Sequence, residues 1–561
     1  GGLFAAPWLP RRRSLHGDAR FATRAEIARA GLFATRGLVL GKLGRRYLVL
    51  GGQQGVALAA PPRAGKGVGV VIPNALSWSG SLVCVDIKRE NWTVTAGYRA
   101  ACGQACHLFD PFAEDGRTAR WNPFHYVSDD PVRRVNDLQR IADMLYPEQP
   151  GTDPFWIASA RSLFLGIALY LFETPSLPKT VGEVLRQGMA SDDEGFGQHW
   201  KRLIQGRMSG SYPLSEECVR ALYDVIDLAP VTASSIRKTF TSRLDLWLNP
   251  ILDAATSGND FDLRELRRQP ISIYVGVNPE DLHRLRPVLN LFFQQAIGLQ
   301  TRVLPEHDPT LKHPVLMLLD EFTALGRIPI MAEAISYLPG YDMRVMLVIQ
   351  TPAQLREVYG PHAAETMLKS LAARIVFAPK DVSDAREISD ELGFATVKVR
   401  STSTPVADLF APKGSRGRSH TESLQRRALL LPQEVKELST REAIVFYEGL
   451  RPVKCRKVRW FEDPTFGVRR RPPPERAASA LERHAAERRA HEAQAVPEVL
   501  GEPAMLRAAT VEDVARLDEL TLDDLAIDVG AIEVPEAGTD GHLSPEAIVT
   551  LADAFAAATP R

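Results

Sequence analysis

Pro62-Arg63-Ala64-Gly65-Lys66-Gly67-Val68 follows an apolar run from Leu58 and leads into Val70-Val-Ile. A strand, a tight loop of small residues ending in lysine, and a helix start make up a phosphate-binding P-loop. The backbone N–H groups of residues 64–68 would face one concavity, backed by roughly +0.5 of a charge at the helix N-terminus. Lys66 would set a full positive charge against the β- and γ-phosphates of a nucleotide. The match to G-x-x-x-x-G-K-[ST] departs at both ends. Ala60 stands in place of the first glycine, and Gly67 in place of the Ser or Thr whose hydroxyl would ligate Mg²⁺.

Asp320-Glu321, closing the apolar run Val315–Leu319, would supply the other half of such a site. Asp320 would hold Mg²⁺, directly or through water, and Glu321 would polarise the attacking water. Two acids at a strand end also occur as solvated turn residues; a P-loop in the same chain favours the chemical reading. Gln350 ends the next strand, where an amide either senses the γ-phosphate or is simply satisfied. Hydrolysis also calls for an arginine that neutralises developing charge, worth about 10³–10⁵ in rate when a neighbouring subunit brings it. Arg344 and Arg374 are the candidates, each near a strand terminus, and each equally readable as a structural salt-bridging residue. With Gly67 unable to ligate Mg²⁺, Asp86 at the end of the second strand is a further group that could reach the ion through water.

These groups need a parallel sheet to bring them together. The P-loop unit and Ser81–Asp86 form strand, loop, helix and strand within about thirty residues, a βαβ unit. Ala105–Phe109, Ile271–Gly276, Pro314–Leu319, Arg344–Thr351 and Ala373–Pro379 are further short apolar runs without alternation, as in strands covered on both faces. From Pro131 to about Asp253 the period changes to that of helices. Expected there are an amphipathic helix through Val135–Leu145, a buried helix over Phe155–Phe172, and helices over Val181–Met189, Glu216–Leu228 and Ala233–Leu248. The fold class is therefore α/β with an inserted all-α domain. The expected divisions are a basic segment 1–49, a nucleotide-binding domain from 50–130 and 256–465, the helical insertion 131–255, a linker 466–505 and an acidic tail 506–561. Small hairpins are expected at 38–50 and 442–460, a helix over Leu285–Val303, and a mobile Ser/Thr/Gly/Arg-rich loop over 401–427.

A composition of 45% hydrophobic and 24% charged residues suits an ordinary globular protein. Five scattered cysteines exclude a disulfide framework and point to a reducing cytosol. Cys102-x₃-Cys106-His107 has no second ligand pair at zinc spacing. Zero net charge conceals an asymmetry: residues 1–50 carry a net +8 and residues 511–561 a net −10. No run of about 20 apolar residues suggests a bilayer span within the chain. The basic start reads either as a solvated arm or as the segment just inside a membrane anchor that precedes it. Residues 150–255 are nearly charge-balanced and show no nucleic-acid face. Lys413, Arg416, Arg418, Arg426 and Arg427 form a basic loop that either tracks phosphates in a pore or is merely solvated.

Several motifs together resemble the type IV secretion coupling ATPases of the TraG/TraD class. They are Ala60–Pro73, Val85-Asp-Ile-Lys-Arg-Glu-Asn-Trp92, Trp121-Asn-Pro-Phe, Asp153-Pro-Phe-Trp, Leu319–Gly326, Gly340-Tyr-Asp-Met-Arg, Ile349-Gln and Phe377-Ala-Pro-Lys-Asp381. The likeness runs in order over residues 17–462. Many members of that family end their P-loop in Gly-Lys-Gly, which makes Gly67 a shared feature; Arg89, where glycine is usual, and the tail are departures. The resemblance implies a RecA-like P-loop ATPase using ATP and Mg²⁺, anchored in the bacterial inner membrane with its bulk on the cytoplasmic face. It implies a homo-hexamer that passes relaxase-bound single-stranded DNA or effector proteins to the type IV secretion machinery. The competing readings are a soluble hexameric DNA translocase or helicase, and a protein-docking adaptor whose ATPase is secondary.

Overall fold

Seven short apolar segments pair in parallel at the centre of an 11-stranded sheet. In chain order the strands are β1 (Leu38–Leu43), β2 (Arg46–Leu50), β3 (Val56–Ala59), β4 (Ser81–Asp86), β5 (Ala105–Phe109), β6 (Ile271–Gly276), β7 (Val315–Leu319), β8 (Met343–Ile349) and β9 (Ala373–Val376). They continue with β10 (Phe394–Ser403), β11 (Ser419–Ala428), β12 (Glu442–Tyr447) and β13 (Val453–Arg456). Across the sheet the order is β2-β1-β13-β12-β9-β3-β8-β7-β4-β6-β5, with β9 through β5 parallel. Every residue of β3, β4, β6, β7 and β8 is buried, which is why these runs lack a period of two. The computed structural model describes residues 17–148, 151, 153–191, 195–210, 212–403 and 419–495. Arg11–Arg13, Lys413, Arg416, Arg418 and the acidic tail 506–561 lie outside them.

Between β5 and β6 the described chain is helical. Asp130, Asp153 and Asn249 each accept a backbone N–H at a helix start, and each precedes a proline at the first helical position. The helix Pro154–Phe172 is buried among Pro131–Leu145, Val181–Met189, Glu216–Ile226 and Pro230–Leu244. It corrects one expectation: at 19 residues with a mean hydropathy of 1.6 it is long and apolar enough to cross a membrane. Here it is the core of the helical region, with 61% of it buried. The helix Phe196–Ser209 escaped the periodicity, because only Trp200 and Ile204 on it are buried.

Further corrections concern what joins the sheet. The hairpin β1–β2 pairs with β13 through Lys42 and Arg456, so a boundary at residue 49 does not separate it from the sheet. The last strand stops at Arg456, and residues 457–460 leave the ladder. The expected loop 401–427 contains strand residues at both ends: β10 and β11 pair antiparallel over ten positions. On that ribbon Arg426 stacks on Phe394 and Arg427 pairs with Glu434, so neither is a free phosphate-tracking cation. The helix placed at 285–303 runs Leu282–Gly298. Residues up to His484, expected as linker, pack on the core through Arg476–Asp115 and Arg483–Asp260 ion pairs. A second compact unit takes Thr174–Pro178 and Ala485–Arg561; its described residues are that short stretch and the end of the helix Ala480–Ala495.

Candidate nucleotide site

Sheet register brings the chemistry to one level. Ala59 pairs with Ile349, Leu319 with Leu347 and Val85 with Leu319. The P-loop, Gln350, Asp320-Glu321 and Asp86 therefore emerge from the same carboxyl edge of the sheet, where open α/β sheets bind ligands. β8 lies between the P-loop strand and the acid strand, which brings Gln350 to the edge where Lys66 and Glu321 meet.

The loop is curled by two residues in the left-handed region, Arg63 at φ 62° and Gly65 at φ 83°. Lys66 then returns to right-handed helix at φ −59°, ψ −47°. Such alternation turns successive N–H groups into one concavity. The helix starts with a π-type turn over Gly67–Val71, in which Ile72 N–H reaches back to Gly67 O. Pro73 explains it: without an N–H it cannot serve the carbonyl of Gly69, and its ring crowds that turn. A Cβ placed on Gly67 would meet nothing within 4 Å, so the space over the loop is open. Asn74 ties the helix to β1, bonding Val39 N–H, Val39 O and Val70 O at 2.7–2.8 Å.

Lys66 Nζ forms an ion pair with Glu321. Gln350 Nε2 donates to the other Glu321 oxygen at 3.1 Å. Burial pushes the Glu321 carboxyl up, but Lys66 and Gln350 outweigh it and hold it below the ordinary carboxylate range. Glu321 also sits in the left-handed region, at φ 52°, a conformation costing about 1–2 kcal/mol for a residue with a Cβ. Burial pushes Asp320 up to about 6 despite Lys66. Burial likewise drives Asp86 up to about 7, against the N–H groups of Trp92 and Asn91, with Asp320 adding to the rise. Two crowded carboxylates of raised proton affinity beside a phosphate cradle fit a divalent cation that shares its ligands with nucleotide phosphates. Among the described residues no group of three His, Cys, Asp or Glu forms an all-protein metal cage. Asp86 accepts from Asn91 and Trp92 N–H and so caps the helix Glu90–Ala101.

The two arginine candidates separate. Arg344 lies at the opposite end of β8 from Gln350 and is 2% exposed. Its guanidinium donates to the carbonyls of Gln54, Leu50 and Gly51 and stacks on Trp78. A group so placed cannot reach a phosphate, so Arg344 is a structural arginine. Arg374 shares a small cavity wall with Pro61 and Gln350 beside the P-loop. It pairs with Glu391 and stacks on Phe446. Sequence reasoning missed Lys457, whose Nζ donates to Ala64 O at 3.1 Å. No motif flags a lone lysine nearly four hundred residues from the loop it touches.

The sheet order and these groups define a RecA-like P-loop fold carrying an all-helical region. The chain belongs to the type IV secretory system conjugative DNA transfer family, whose model matches residues 11–490. It is 32% identical over 475 residues to Protein VirD4 of Rhizobium radiobacter, covering 81% of this chain and 65% of that protein. It is 28% identical over 516 residues to the conjugal transfer protein TraG of Escherichia coli, covering 83% of this chain and 80% of that protein. The chain thus spans just under two thirds of the VirD4 relative. Among solved structures, the bacterial conjugative coupling protein TrwBdeltaN70 with sulphate superposes with a TM-score of 0.55 at 17% identity, covering 86% of this chain and 99% of that one. The plasmid coupling protein TrwB in complex with ADP and Mg²⁺ gives 0.53 at 18% identity, covering 82% and 96%.

Proposed function

We propose that this chain hydrolyses ATP at the P-loop and uses that cycle as a coupling protein, recruiting substrates and delivering them to a type IV secretion channel. The observation that carries the reading is the Lys66–Glu321–Gln350 group, assembled from three adjacent strands at one sheet edge. Family membership and the conjugal-transfer relatives supply the biological setting. TrwB, of the same fold, takes ADP with Mg²⁺ and a non-hydrolysable ATP analogue.

In this reading the N–H groups of Ala64–Val68 and Lys66 receive the β- and γ-phosphates. The γ-phosphate displaces Glu321 from Lys66, which frees that carboxylate to take a proton from the attacking water. Gln350 donates to Glu321 and orients it. Asp320, with Asp86 behind it, would hold Mg²⁺, which would screen the phosphate charge. Arg374 is the candidate for charge neutralisation across a homo-hexameric interface. The cargo is relaxase-bound single-stranded DNA or effector proteins, and the basic N-terminal segment lies next to an inner-membrane anchor.

The test is ATP turnover by the purified chain with Mg²⁺, alongside cargo transfer in cells. Lys66→Ala should lower turnover by at least about 10²–10³ and abolish transfer while the melting curve keeps its shape. Normal turnover in that variant would refute the assignment.

A further inference from the structure

The P-loop is also held from its back by the chain just beyond β13. Lys457 Nζ donates to Ala64 O at 3.1 Å. The same ammonium lies 3.6 Å from the centre of the Phe377 ring, and Phe377 N–H is bonded to Ala59 O, the last residue of the P-loop strand. The stem of Lys457 runs past Gly69, with its Cβ 3.5 Å from where a Gly69 Cβ would stand. Three residues on, Trp460 N–H donates to Val68 O at 3.2 Å. That carbonyl needs an outside donor, because Ile72 N–H turns to Gly67 and Pro73 has none. Lys457 is itself fixed by its own N–H on Arg441 O at 2.8 Å. No carboxylate among the described residues pairs with its charge.

We infer that Lys457 is a positioning residue for nucleotide binding, holding the Ala64 carbonyl outward so that the Gly65 N–H is aimed into the phosphate cradle. The reason is the peptide plane: in a trans peptide the C=O and the following N–H point in opposite directions. Gly65 at φ 83° could otherwise swing this unit at little cost. A bare ammonium on a P-loop carbonyl, backed by an aromatic ring, fixes one unit, and Trp460 fixes the unit at Val68. The loop is thus preorganised before nucleotide arrives. Burial, with Arg459 nearby, depresses the Lys457 ammonium to about 8, so most of its charge is present at neutral pH and is lost as pH rises through about 8. Its neighbour Cys455 has a thiol pushed up to about 12 by burial, so that group does not change charge there.

The inference rests on the P-loop being a nucleotide site. It is tested on the full chain by titrating fluorescent ADP with Mg²⁺ from about pH 7 to 9.5, for wild type, Lys457→Met, Lys457→Arg and Lys66→Ala. Lys457→Met should weaken ADP about tenfold and raise KM for ATP, with kcat changing less than about threefold, since the reacting groups are untouched. Wild-type affinity should fall as pH rises through about 8. That fall should vanish in the Met variant, and Lys457→Arg should restore neutral-pH affinity without it. Wild-type affinity and pH profile in Lys457→Met, with binding lost in Lys66→Ala, would overturn the positioning role and leave the site standing. Undiminished binding in Lys66→Ala would overturn the site itself, and the inference with it. If Lys457→Met does not fold, the wild-type and Lys457→Arg profiles decide: a flat wild-type profile overturns the inference.

Discussion

Lys66 and Glu321 are ion-paired across β8. In the proposed cycle the acid fills the place that the γ-phosphate takes, so nucleotide binding there must break this pair. Glu321→Gln should therefore bind ATP somewhat more tightly, by up to about fivefold, the worth of a partly exposed ion pair. The same change removes the base and should slow hydrolysis by about 10²–10⁴. Equilibrium binding and single-turnover hydrolysis on one preparation check both halves.

Gln350→Ala removes the amide that donates to Glu321 at 3.1 Å. Its effect should fall on kcat, by about 10²-fold, with KM nearly unchanged, because the phosphate cradle is left intact. A rise in KM at constant kcat would show that Gln350 binds nucleotide without orienting the base.

Arg344→Met leaves the carbonyls of Gln54, Leu50 and Gly51 without their donor. Thermal unfolding should shift down by several degrees, for a loss of about 2–3 kcal/mol. The folded fraction should keep its ATP turnover. A large drop in kcat at an unchanged Tm would restore Arg344 as a catalytic arginine.

Metal-free stability should depend on pH through Asp86 and Asp320, raised by burial to about 7 and about 6. For an acid whose pKa is higher folded than unfolded, the native state binds more protons between the two values. Stability then falls as pH rises through that window. The chain in chelator should melt higher near pH 5 than near pH 8, and Asp86→Asn should flatten the trend while keeping an acceptor for the helix cap. A slope of the opposite sign in wild type would exclude these two carboxylates as its source.

Most of the site was legible because its parts carry local signatures: small residues before a lysine, or acids and an amide closing apolar runs. Arg344 misled because sequence shows that an arginine is near a strand end, and not which end carries the P-loop. Two motif features turn out to be backbone devices. Arg89, where the family usually has glycine, sits at φ 55°, and Asp342 at φ 56°, both in the left-handed region. Asp153 and Asp381 are helix caps.

The sequence by itself determined the parallel sheet, the helical stretch between β5 and β6, and that Lys66, Asp320, Glu321 and Gln350 close a small-residue loop and apolar runs, because each follows from residue types within a few positions. Only the tertiary structure decided that β8 lies between the P-loop strand and the acid strand, that Arg344 faces away, and that Lys457 braces Ala64. Those relations depend on strand order and register, and pair residues up to 393 positions apart.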